Sequence, residues 1–201
     1  MARKSNYIIN RKNTELWKED TLKSVSLYND WFLNFAPATY TKERKCAMEQ
    51  VGLAISQTDN FHFTTTHLKE HPEFITILRM ATTPPIARDR LIGFSGIKAS
   101  FLKNMEEGRL PQRLSEEEKE DCLNRVAHVL NKLLDIELFS WIQKGNTPTV
   151  EELKIAECIV ADRLCGTLSD PIIRNEQEKR QLKVISDFLV SEGYTFVDSK
   201  N

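Results

Sequence analysis

Large apolar residues recur along most of this chain three or four positions apart, the spacing that lines one face of an α-helix. That pattern restricts the fold more than any other feature. Between Asn13 and Phe35 it is carried by Trp17, Tyr28, Trp31, Phe32 and Phe35, with Asn13 or Asp20 as the cap and Pro37 as the expected stop. A second helix is expected from Thr41, with Ala47, Met48, Val51, Ala54 and Ile55 on one stripe and Asp59-Asn60 at its end. Pro72 suits the first turn of a helix reaching Met80, which Thr82-Thr83-Pro84-Pro85 breaks. Residues 86–104 read as two short helical pieces hinged near Gly93 and Gly96. Ser115 with Glu118, and Thr149 with Glu152, are capping boxes, each opening a helix; the second is expected to end at Gly166. A last helix spans Asn175 to Glu192 with Gly193 as its stop, and Tyr194-Thr195-Phe196-Val197 has the composition of a strand. The expected fold is mainly α, a bundle of about six or seven helices, with a C-terminal helix and strand that begin an α/β core.

Several classes are excluded by what is missing. No run of about 18 uncharged apolar residues occurs, so no membrane span is expected. The basic start Met1-Ala2-Arg3-Lys4 is followed by no continuous apolar stretch, so no signal peptide is expected either, and a cytoplasmic location follows. Cys46, Cys122, Cys158 and Cys165 form no Cys-x-x-Cys pair and are expected to be reduced thiols in or near the core. No fixed repeat of 20 to 50 residues points to a solenoid.

With 28 basic and 29 acidic residues the chain is nearly neutral, so any footprint for a polyanion must be local. Arg79, Arg88, Arg90, Lys98 and Lys103 face the single acid Asp89 within residues 79–103, a surplus of four positive charges. The next segment, 106–121, holds seven acids against Arg109, Arg113 and Lys119. A cationic face beside an anionic one suits phosphate binding; two solvated surfaces laced with ion pairs are the alternative. Pro84-Pro85 would fix the start of a helix whose first N–H groups lie beside Arg88 and Arg90. The tripeptide Glu-x-Lys occurs at Glu43, Glu117 and Glu152, always at a helix start, where acids favour the dipole and need no metal to explain them. His67 and His71 lack the intervening Glu of a zinc protease and read as a helix-terminal pair. No complete catalytic site can be assembled.

At Arg79-Met80-Ala81-Thr82-Thr83-Pro84-Pro85-Ile86-Ala87-Arg88-Asp89-Arg90-Leu91-Ile92-Gly93, at Ala161-Asp162-Arg163-Leu164-Cys165-Gly166, and at Ser169-Asp170-Pro171-Ile172-Ile173-Arg174-Asn175-Glu176-Gln177-Glu178, the sequence resembles the XamI-type restriction endonucleases. Trp31-Phe32-Leu33-Asn34-Phe35-Ala36-Pro37 shares the likeness. The resemblance implies a type II deoxyribonuclease that cuts duplex DNA at a short sequence with Mg²⁺, through a PD-(D/E)xK core following a helical N-terminal part. On that reading residues 1–168 are the helical domain and 169–201 the first helix and strand of the nuclease core, and the catalytic Asp and Glu-x-Lys are not in this chain. Glu176 carries over in a supporting catalytic role, with a capping role as its alternative. Arg174 and Arg180 join the five cations above as candidate DNA contacts. A palindromic target would imply a homodimer. A non-catalytic helical module that binds DNA or a protein remains the alternative function.

Overall fold

A computed structural model describes residues 13–195, and among these the fold is all helical. Eight α-helices and one 3₁₀ turn follow in order: α1 (Thr14–Gln57), α2 (Thr65–Glu70), the 3₁₀ turn Pro72–Phe74, α3 (Ile75–Met80), α4 (Arg88–Ser95), α5 (Ala99–Glu106), α6 (Glu116–Leu133), α7 (Ser140–Lys144) and α8 (Val150–Ser191). The only β pairing among the described residues is an isolated bridge between Thr82 and Leu134. The expected C-terminal strand is not supported: Gly193, at φ +86°, ends α8, and Tyr194 and Thr195 carry no regular structure. Phe196 and Val197 lie outside the described residues.

Two expected helix ends do not exist. Helix α1 runs through Pro37, and α8 runs through both Gly166 and Pro171. Proline removes one i−4 hydrogen bond and its ring clashes with the preceding turn, which either ends a helix or kinks it; a glycine in mid-helix costs only about 0.5–1 kcal/mol. The chain separates into two compact units, Lys42–Ile172 and the flanking pair Met1–Thr41 with Ile173–Asn201. Each long helix carries its proline close in sequence to the point where it passes from one unit to the other.

The larger unit holds nearly all of the core. Helix α6 packs against α2 and α4, and α5 against the 3₁₀ turn, α3 and α4. The sequence spacing marks Leu123, Val126, Val129, Leu130, Leu133 and Leu134 as the apolar stripe of α6; the first four are buried, with Ala127 beside them, and Leu133 is half-buried. Helix α1 ends as expected at the Asp59-Asn60 turn, where Asp59, Asn60 and Phe61 all adopt positive φ. The conformation is held because Phe61 is buried against Phe139 at 4.7 Å, Phe139 meets Trp141 at 5.5 Å, and the Trp141 indole N–H donates to the Asn60 carbonyl at 2.9 Å. Both capping boxes are present. Ser115 N–H donates to Glu118 at 2.8 Å and Thr149 N–H to Glu152 at 2.8 Å, with the hydroxyls accepting the return bonds at 3.2 Å.

The smaller unit is different in kind. Ala36 is its only buried hydrophobic residue among those described, whereas Trp17, Leu22, Leu33, Val184, Ile185 and Phe188 are all more than half exposed. Arg180 donates to the Leu27 carbonyl at 2.9 Å and stands over the Trp31 ring at 5.6 Å, tying α8 to α1 within this unit. Two thiols depart from expectation: Cys165 is buried and Cys122 half-buried, but Cys46 and Cys158 are exposed. No described helix is long and apolar enough to cross a membrane.

Candidate functional site

The Thr82–Ile86 loop is fixed by polar bonds rather than left to solvent. Arg79 Nε donates to the Ile86 carbonyl at 3.1 Å while Ile86 N–H donates back to the Arg79 carbonyl at 3.1 Å. The buried Thr82 hydroxyl accepts Ile86 N–H at 2.9 Å and lies 2.9 Å from both the Arg79 and Pro84 carbonyls. From α8, Arg163 reaches the Met80 carbonyl at 3.0 Å and Asp135 at 3.2 Å. Two of the segments that carry the resemblance therefore meet here, and Arg163 is the residue that joins them. Its role was invisible in the sequence because its partners stand 83 and 28 positions away.

The five candidate cations of residues 79–103 differ in availability. Arg79 is 9% exposed, and its Nη1 pairs with Glu106 Oε1 at 3.0 Å. Burial pulls its guanidinium below the usual value, which Glu106 partly offsets, and an arginine so placed stays charged. Arg88 Nε lies 3.0 Å from the other Glu106 oxygen, so one carboxylate holds two guanidiniums. Glu106 falls just beyond the cationic window of the sequence, so the four-charge surplus there is smaller in the folded protein. Arg90 is exposed, the third residue of α4, whose N-cap Ala87 supplies no side-chain bond. Lys98 is the exposed N-cap of α5, and Lys103 lies 3.9 Å from Glu107.

The remaining candidates lie on α8 in the smaller unit. Arg174 is exposed. Arg180 is engaged with Leu27 and Trp31 as described. Glu176 is half-buried with Lys179 at 4.0 Å, an ordinary i,i+3 pair. Among the described residues no three His, Cys, Asp or Glu side chains converge as metal ligands, so this part of the chain does not fit a Mg²⁺ site. The Glu-x-Lys tripeptides are structural: Glu118 and Glu152 close capping boxes, Lys119 pairs with Glu116 and Lys154 with Glu157, each at 2.8 Å. Arg44, inside the first tripeptide, pairs with Asp162. His67 Nδ1 accepts the Thr64 N–H in a third capping box, and His71 stacks on Phe74 at 4.8 Å.

The model of the XamI restriction endonuclease family matches residues 59–201, which is most of the chain. This chain belongs to that family. It is 42% identical over 189 residues to the type II restriction enzyme SalI of Streptomyces albus G, an alignment covering 94% of this chain and 60% of SalI. The chain thus spans about three fifths of the length of that relative. No solved structure matches it significantly.

Proposed function

We propose that this chain is the helical, DNA-holding N-terminal portion of a type II restriction endonuclease that hydrolyses phosphodiester bonds of duplex DNA at a short specific sequence in the cytoplasm. The family match across residues 59–201, with the likeness to SalI, carries the proposal. Residues 1–168 precede the nuclease core, and 169–201 lead into it. The Mg²⁺ such an enzyme employs would be held by residues outside those described, and Glu176 supports them from the helix surface. Within the chain, Arg90, Lys98, Lys103 and Arg174 offer exposed cations for backbone phosphates. Arg79 instead holds the Thr82–Ile86 loop, with Arg88 beside it on Glu106.

The partner set is duplex DNA and a second copy of the chain. The smaller unit leaves Trp17, Leu22, Leu33, Val184, Ile185 and Phe188 more than half exposed, apolar surface that a second copy of the chain would cover. Sedimentation equilibrium should give a dimer that Leu22→Asp with Leu33→Asp converts to monomer.

The DNA assignment is tested by duplex binding in a salt series, without a cleaving metal. Arg88→Ala with Arg90→Ala should weaken binding and flatten its salt dependence by up to two charges. Binding indistinguishable from the parent's would remove α4 from the interface.

A further inference from the structure

An open groove of about 1080 Å³ lies between the start of α5, the 109–114 connection and the first half of α6. Its charged lining is Lys98, Arg109, Arg113 and Arg125 with Glu118 and Asp121. By sequence most of these belong to the segment counted as anionic. Folding reverses that sign locally, because four cations line the groove against two acids, Glu118 and Asp121. Glu118 accepts the Ser115 N–H at 2.8 Å, a bond that lowers its pKa. Asp121 is held by Arg125 at 3.0 Å.

Arg125 is spent as well. Its Nη1 donates to the Ser95 and Gly96 carbonyls at 2.9 Å, latching the end of α4 onto α6. Arg109 pairs with Glu107. Two cations remain: Arg113, exposed and with no ion-pair partner among the described residues, and Lys98, exposed at the mouth of α5 and engaged only through the field it exerts on Glu118. Leu110, Pro111 and Leu114, each half-buried, line the wall between them.

We infer that this groove seats a sugar–phosphate strand of duplex DNA, with Lys98 and Arg113 as its phosphate contacts. The inference rests on the DNA reading above and adds to it Arg113, which lies outside the cationic segment, beside Lys98 at that segment's end. An open groove with two surplus cations gives a small anion no enclosure, but it suits a polyanion whose phosphates repeat along its length. Half-buried apolar side chains between the cations match the apolar faces of deoxyribose. Such contacts position the duplex and carry no sequence information.

The test is fluorescence anisotropy of a labelled duplex oligonucleotide against the 201-residue chain, in EDTA, from 50 to 200 mM salt, comparing the parent with Lys98→Ala/Arg113→Ala. Two phosphate contacts at about 0.9 counterion each should steepen the parent's log–log slope by about 1.8 relative to the double variant. Over that fourfold salt range the parent should therefore lose about tenfold more affinity than the variant. Arg113→Glu should bind more weakly than Arg113→Ala, and a circular dichroism melt matching the parent's excludes misfolding as the cause; Lys98→Gln/Arg113→Gln serves if the alanine pair does not fold. A parent that binds duplex with the same slope as the folded variant overturns the groove while leaving the DNA reading intact. A parent that binds no duplex at 50 mM salt overturns both.

Discussion

Glu106 is the residue whose loss should be felt twice. Its two oxygens lie 3.0 Å from Arg79 Nη1 and 3.0 Å from Arg88 Nε, and the side chains of Arg79 and Glu106 are only 10% and 22% exposed. Glu106→Ala leaves Arg79 with the Ile86 carbonyl alone. Removing one partner of a buried ion pair costs about 3–5 kcal/mol, and because this pair is partly wet we expect ~2–3 kcal/mol. For a chain of this size that lowers Tm by about 4–12 °C, read by circular dichroism or calorimetry. Arg88, 42% exposed, is released at the same time, so the duplex-binding salt slope should steepen by up to about one charge. Stability and electrostatic attraction thus move in opposite directions. Arg79→Met added to Glu106→Ala should recover part of the lost stability, a coupling above about 1 kcal/mol in a double-mutant cycle. A Tm within about 1 °C of the parent's, or strictly additive single variants, would refute the shared clamp.

Other expectations follow from single contacts. Gly96 stands at φ +62° and a Cβ there would lie 3.1 Å from Arg125 Nη1, so Gly96→Ala should cost about 1–2 kcal/mol in denaturant unfolding. Ser115→Ala opens the α6 capping box and should cost about 1 kcal/mol by the same measurement. Glu116 is held at a pKa of about 2 by Lys119 first and Lys69 second. Because its folded pKa is depressed below the ordinary 4.5, its stabilisation is present above that value and is lost as pH falls through about 2. The Tm gap between the parent and Glu116→Gln should therefore be widest near neutral pH and close progressively below 4.5.

The sequence was legible where structure is local. The three-residue spacing of Ser115 and Glu118, and of Thr149 and Glu152, located two helix starts without any tertiary information. The stripe Leu123–Leu130 named the buried face of α6 for the same reason. Pro37 and Gly166 misled because a helix breaker states only a local cost, and a long helix that continues on both sides can absorb it. The cationic region was legible as composition but not as a surface: Glu106 neutralises it from outside the window. Arg113 was hidden in a segment whose acids looked dominant until Glu118 and Asp121 were seen to be engaged. Arg163 and Arg125 act on carbonyls far away in sequence, and nothing in their neighbours signals it. The strand expected from Tyr194 rested on residue preference alone, which says little without a pairing partner.

The most direct measurement of the central claim is incubation of plasmid DNA with the purified product of the complete gene, with Mg²⁺ and with EDTA in parallel. The account predicts Mg²⁺-dependent discrete fragments whose ends share one short sequence. Intact plasmid under both conditions, or random degradation, would contradict it.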